Sequence, residues 1–225
     1  MSRYITNIWA GTLTPFTITS GTVTTESNTD FTPIVGSSAV KMYSATTYNQ
    51  GDIHATRTQL GLPTTTGLGY YTRHYIRRIG TARDTENMKT DIVYNSGSQR
   101  GFRYTTSKTI QPTVNYGAKT AGVYVIPTTE WTIIEMYTLL NGASSSFIIK
   151  ISNQAGTLQE TLTDTTNNTA DYISYINIED GGWNYVGGDY YNGFCLNTSA
   201  GTTDNSWIGA YVPPSNANGN FFKFF

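Results

Sequence analysis

The sequence predicts an all-β fold, a two-sheet antiparallel sandwich, and three observations carry that prediction. The first is the Asn141-Gly142 turn, set between two β-rich apolar runs. Both turn residues tolerate positive φ, which makes this a strong hairpin signal. The second is a series of short alternating runs closed by Gly, Asn, Asp and Thr clusters, the pattern of a sandwich or barrel. The third is composition: only 13% of the 225 residues are charged, and Thr, Ser, Asn and Gly replace them, with 17 Tyr and four Trp. Disordered chains carry few aromatics and high charge, and helical bundles need Ala, Leu, Glu and Lys. Thr and Tyr suit a pleated surface.

Taken in order, the Thr-rich first 35 residues alternate weakly, as in Phe16-Thr17-Ile18-Thr19, and read as short strands or an extended arm. Val40–Tyr43 and Ile53–Arg57 are short alternating strands. Gly69–Ile79 fits two periods: Tyr71, Tyr75 and Ile79 fall at helical spacing, whereas Tyr70, Thr72, His74, Ile76 and Arg78 alternate as in a strand. Its Tyr and Ile content favours the strand. Trp131–Leu140 and Phe147–Ser152 flank the Asn-Gly turn, and a turn at Asn153–Gly156 leads to Leu158–Leu162, giving a three-stranded meander. The sandwich core is expected to take at least one of two rows, Trp131/Ile133/Tyr137/Leu139 or Phe147/Ile149/Ile151. Tyr172–Ile178, Asp189–Asn197 and Trp207–Val212 complete the strands, and Pro213-Pro214 ends the last, because proline cannot donate to a ladder.

Net charge is −1, which argues against a nucleic-acid footprint over the whole surface. The charge is uneven: residues 1–150 hold 13 Lys/Arg against eight Asp/Glu, and residues 151–225 hold one against seven. The two parts either pair within one fold or meet between neighbouring copies. Six arginines between Arg73 and Arg103 are interspersed with Asp84, Glu86 and Asp91, which reads as a solvated or interface face. No apolar run reaches the roughly 18 residues of a membrane helix. The opening MSRYITNIW lacks a signal-peptide core, which predicts cytoplasmic synthesis. An outer-membrane barrel fits poorly, because alternation back from Phe225 puts Lys223 and Gly219 on the lipid row.

The chemistry of enzymes is missing from the motifs. Cys195 is alone, which excludes an intrachain disulfide and a cysteine zinc cluster. His54 and His74 lie on separate strands, where a structural role is the commoner one, and neither a GxSxG elbow nor a Walker loop occurs. Glycoside hydrolysis needs two convergent carboxylates. Glu130 and Glu135 are five apart and Glu179 and Asp180 adjacent, so each pair points to opposite faces of a strand. The expectation is no catalytic residue, no metal ligand and no cofactor.

Three segments carry a family likeness. Tyr70-Tyr-Thr-Arg-His-Tyr-Ile-Arg77 is similar to a "YYVRFYIR" strand, and Glu130-Trp-Thr-Ile-Ile-Glu135 to a "WTRIEL" strand. Phe194–Gly209 is similar to a closing strand and loop, "VNDTSG…NNSWLG". With that order and spacing, over about Ser38 to Val212, the chain resembles the concanavalin A-like (laminin-G-like) jelly-roll family, in the form common among bacteriophage virion and bacterial surface proteins. The family often places acidic residues just before the closing strand, where this chain has Asn192-Gly193, so the family's calcium ligands are not carried over. The ExDxE strand of its glucanase members is also absent.

The resemblance implies a jelly roll over 36–212, with an N-terminal arm or short strands at 1–35 and a C-terminal arm at 213–225. It implies a non-enzymatic virion structural protein (a capsid-decorating, head-fibre or tail component), assembled in the host cytoplasm with copies of itself and other virion proteins. Phe221, Phe222, Phe224 and Phe225, on a small polar spacer, are the expected assembly anchor. The alternative is a glycan-binding adhesion module for host attachment, with Trp183, Tyr185, Asp189, Tyr190 and Tyr191 as the aromatic and polar candidates. In the blander reading, Trp183 and Tyr185 merely cap the core from a glycine-rich loop.

Overall fold

The computed structural model describes residues 5–8, 13–26, 33–44, 51–79, 88–95, 98–139, 145–166, 172–180, 187–198 and 207–208. Among these residues there are fifteen strands and no helix. In chain order they are β1 (Ile5–Ile8), β2 (Thr17–Ser20), β3 (Val23–Glu26), β4 (Ala39–Ser44), β5 (Gly51–Thr56), β6 (Gly69–Ile79), β7 (Met88–Tyr94) and β8 (Gln99–Tyr104). There follow β9 (Ile110–Val114), β10 (Gly117–Ala118), β11 (Thr132–Leu139), β12 (Ser146–Ser152), β13 (Leu158–Asp164), β14 (Ile173–Asp180) and β15 (Gly187–Thr198).

Two antiparallel sheets result. The eight-stranded sheet runs β13-β12-β11-β6-β15-β4-β3, with β1 also paired to β15, and the seven-stranded sheet runs β10-β9-β8-β7-β14-β5-β2. The ambiguous segment is a strand, β6, and the meander lies in one sheet as β11–β12–β13. The first 35 residues supply β1, β2 and β3, short strands divided between both sheets. Trp207 and Ile208 lie outside any strand, and the rest of the strand expected at Trp207–Val212 is outside the described residues.

Period 2 sorts the side chains. The inner faces bury Ile134 and Met136 of β11, Phe147, Ile149 and Ile151 of β12, and Ile176 and Ile178 of β14 in one core. The core therefore takes the Phe147 row. Trp131 and Ile133 instead join Tyr75, Tyr190 and Ala39 in a second cluster on the outward face of the eight-stranded sheet.

That core is unusually polar, and its polar atoms tie one sheet to the other. Arg100, fully buried on β8, donates to Leu139 O at 3.3 Å, Ser146 O at 2.7 Å and Thr166 O at 2.6 Å, across the sandwich. The Tyr94 hydroxyl meets Thr138 Oγ1 at 2.7 Å. Burial pulls the Arg100 guanidinium down from its ordinary range and pushes the Tyr94 phenol up. A buried charge persists only where hydrogen bonds replace its water, and three carbonyls do so here. Arg73 and Arg78 are also buried, so with Arg100 they drop out of the solvated or interface face that the spacing of the six arginines suggested, whereas Arg77 and Arg103 are partly exposed and Arg83 lies outside the described residues.

One lateral seam is laced by polar contacts. Segment 119–126 runs beside β9, with Lys119 N donating to Pro112 O and Gly122 N to Ile110 O. The Glu160 carboxylate on β13 accepts from Val123 N at 2.8 Å and Tyr124 N at 3.0 Å. Lys119 Nζ reaches Asp164 Oδ2 at 3.4 Å. Burial raises the Asp164 carboxyl, but hydrogen bonds from Thr166 and the Lys119 ammonium outweigh it and hold it below its ordinary value. This joins a base of residues 1–150 to an acid of residues 151–225 within one chain.

Candidate functional site

The two outward faces present different surfaces. On the eight-stranded sheet, β15 carries a bulge: Asn192 pairs with Tyr75 and Cys195 with Arg73, so two residues, Gly193 and Phe194, oppose one. Gly193 takes φ +59°, and a Cβ there would stand 2.9 Å from Val35 Cγ2, so only glycine fits. Arg73 Nη2 donates to the freed Gly193 O and to Cys195 Sγ, both at 2.9 Å. Asn192 pins the loop that covers this face. Its Oδ1 accepts from Val35 N at 2.6 Å, and its Nδ2 donates to Val35 O and Ser38 O, each at 3.0 Å.

This face is thereby roofed. Ile34 of the loop packs on the Trp131 cluster, and Trp207 and Ile208 pack on Tyr71, Tyr137 and Cys195. The Tyr71 and Tyr137 rings lie 4.6 Å apart, tilted by 32°, and Lys150 Nζ sits 4.0 Å over the Trp207 ring. Burial raises both phenol pKa values, and for Tyr71 the neighbouring Tyr137 adds to it.

Asp189, Tyr190 and Tyr191 belong to this sheet, in the first half of β15. The strand period splits them: Tyr191 enters the core, Tyr190 joins the outer cluster, and Asp189 pairs with Arg78. All three are buried and offer a sugar no surface here. Trp183, Tyr185, Phe221, Phe222, Phe224 and Phe225 lie outside the described residues.

The outward face of the seven-stranded sheet is, among the described residues, open at its β14–β5–β2 end, whereas Val93, Gln99 and Thr113 on β7–β9 are buried. On β5 burial alternates, with Gly51, Ile53 and Ala55 inward and Asp52 and His54 outward. On β14, Ile176 and Ile178 are inward, leaving Tyr175 and Asn177 outward. These strands are antiparallel neighbours, so Asn177 sits opposite His54 and Glu179 opposite Asp52. The edge strand β2 adds Thr19. Thr19, Asp52, His54, Tyr175 and Asn177 line a groove of about 280 Å³.

Local hydrogen bonds fix these groups. The Asn177 amide nitrogen donates to Asp52 Oδ1 at 2.6 Å and to Ile53 O at 3.1 Å. Thr19 Oγ1 donates to Asp52 O at 3.1 Å, and Thr17 Oγ1 to His54 O at 3.2 Å. The His54 and Tyr175 rings lie 5.9 Å apart. A second depression, of about 320 Å³, is lined by Thr14, Pro15, Phe16, Thr17 and Gln59, so β2 borders both. No group of three or more His, Cys, Asp or Glu side chains suited to a metal occurs among the described residues.

Sequence reasoning did not find this groove. The available signal was polar-apolar alternation in Asp52-Ile53-His54-Ala55, which marks an outward polar row. The partner row on β14 lies some 120 residues along the chain (Asn177 faces His54), and nothing local joins them. The Asp52–Glu179 register is likewise a carboxylate juxtaposition invisible from spacing along one strand.

No family model and no curated protein matches this chain in sequence. Solved structures do match in fold. A lectin from Bauhinia forficata in complex with GalNAc superposes with a TM-score of 0.58 at 9% identity, covering 87% of this chain and 97% of that one. Lectin UEA-II complexed with galactose gives 0.59 at 8% identity, over 88% and 99%. A cellulose-induced protein gives 0.54 at 15% identity, over 81% and 90%. At such identities the likeness establishes the fold, a concanavalin A-like jelly roll.

Proposed function

We propose that the chain is a carbohydrate-binding module holding its sugar in the groove on the seven-stranded sheet. The observation that carries this reading is a concavity where the Tyr175 ring stands beside His54, Asp52, Asn177 and Thr19, on a sandwich whose opposite face is roofed. Small-ligand sites combine an apolar wall with a few fixed polar groups, and a pyranose offers both an apolar face and a rim of hydroxyls. That lectins of this fold are crystallised with GalNAc or galactose supports the choice of ligand class. In this reading the module holds and does not cleave, because Asp52 is the one carboxylate lining the groove among the described residues and glycoside hydrolysis needs two.

Calorimetric titration with a panel of oligosaccharides tests the reading. Saturable binding that Tyr175→Ala abolishes, with the sugar recovered intact, is expected. Absence of saturable binding overturns the site. Cleavage that Asp52→Asn removes overturns the non-enzymatic role.

In a broader setting we propose that this module is a component of a bacteriophage particle, assembled in the host cytoplasm and meeting a host-surface glycan. The three family-like segments and the low charge support this, and the Phe-rich terminus would anchor the subunit. Deleting residues 216–225 should leave a folded sandwich that enters particles poorly. Loss of the cooperative melt in the isolated truncated chain would place those phenylalanines in its own core instead.

A further inference from the structure

The groove can be read for the hydrogen-bonding character of its occupant by asking which atoms the protein has already committed. Asn177 spends its amide nitrogen on Asp52 Oδ1 and Ile53 O, which leaves its carbonyl oxygen to accept. Thr19 spends its hydroxyl proton on Asp52 O, which leaves oxygen lone pairs. The Asp52 carboxylate has no donor at all, and Asn177 satisfies only one of its oxygens. Against these acceptors the lining sets a His54 ring N–H and the Tyr175 hydroxyl, which itself accepts as readily as it donates. The lining is thus biased towards acceptors and carries a formal negative charge.

A complementary ligand brings donors and positive charge. A uronic or sialic acid brings the reverse, and would leave two like charges facing each other in a partly desolvated groove. Neutral hexoses bring donors without charge. A primary ammonium brings three donors and no acceptor. We infer that the groove selects a sugar with a free amine, a de-N-acetylated hexosamine, with the ammonium on Asp52. This inference rests on the carbohydrate-binding reading and sharpens its ligand.

The test is titration of the full chain with four tetrasaccharides: glucosamine, N-acetylglucosamine, glucose and galacturonic acid, at a pH that keeps the sugar amine protonated. A charge-assisted hydrogen bond is roughly twice as strong as a neutral one, so the amine form should bind about tenfold tighter than the N-acetyl and neutral forms. Galacturonate should bind worst. Asp52→Asn keeps an acceptor for Asn177 and should bring the amine form down to the neutral level. Glu130→Gln, before β11 in the other sheet, should leave the preference intact, which separates a local contact from general attraction of a cation. Raising the salt should narrow the preference. Equal binding of the amine and neutral forms, or a preference that survives Asp52→Asn, overturns the inference. If Tyr175→Ala still abolishes binding in that case, the carbohydrate reading stands. Failure of all four sugars to bind overturns both.

Discussion

The outward faces of the two sheets began from the same strand alternation and were finished in opposite ways. On the eight-stranded sheet the outward row is aromatic and aliphatic (Tyr75, Trp131, Ile133, Tyr190) and a loop held by Asn192 closes over it. On the seven-stranded sheet the outward row beside β2 is Asp52, His54, Tyr175 and Asn177, and it forms an open groove. A sheet that carries an apolar row on both sides must bury both. The roofed face therefore works for stability, and the open face is where a ligand has access. The comparison also explains why the prominent Trp131 row lies outside the central core: it packs a second, smaller core of its own.

The largest expected effect falls on the roofed face. Trp131 is 1% exposed, and Trp131→Ala should cost about 3–5 kcal/mol, as cavity-forming aromatic truncations do. Tyr175→Ala on the open face, where the ring is only half-buried, should cost clearly less, about 1 kcal/mol, while abolishing binding. Urea unfolding of both variants checks the contrast, and equal losses would break it.

The next effect in size comes from the shared interior. His74 on β6 is fully buried among the Phe102, Tyr191 and Phe194 rings, 6.0–6.5 Å away. Burial, with the Arg73 charge adding, pushes its pKa from 6.5 down to about 3. The neutral form is the one that folds, so this contribution is complete above pH 6.5 and is lost as pH falls towards 3. Within that window the unfolded chain holds one more proton, which weakens stability by about 1.4 kcal/mol per pH unit. His74→Phe should remove this share of the acid slope in unfolding titrations. An unchanged slope would place the acid sensitivity elsewhere, in carboxylates such as the seam residue Asp164.

How much of this was legible depends on range. Gly69–Ile79 and the β11–β13 meander are local patterns of Tyr, Ile and Thr closed by turns, and they read correctly. Strands β7–β10 escaped notice because Met88–Tyr94 and Gln99–Tyr104 mix charges into their alternation, Ile110–Val114 carries a proline and Gly117–Ala118 is two residues long. Arg100 is a charge that the core accepts because three carbonyls from the facing sheet converge on it, and the sequence holds no trace of that convergence. Asp189 and Tyr191 look like a polar-aromatic binding stretch, but a central strand with both faces covered leaves them no outside. The groove failed to show for the complementary reason: β14 reaches β5 through a pairing between distant parts of the chain.

Cys195 gives the roofed face a property of its own. The thiol is inaccessible, with Arg73 Nη2 at 2.9 Å and Tyr71 and Ile208 packed in the same cluster. A thiol reagent added to the native protein can react only during the moments when that cover lifts, so the reaction rate is a clock for opening. If the roof and the sandwich open as one unit, the clock keeps the pace of global unfolding. If it runs faster, the roof is a separate cooperative unit with a lower opening free energy. The chain thus carries a single built-in reporter, placed where one layer meets the other.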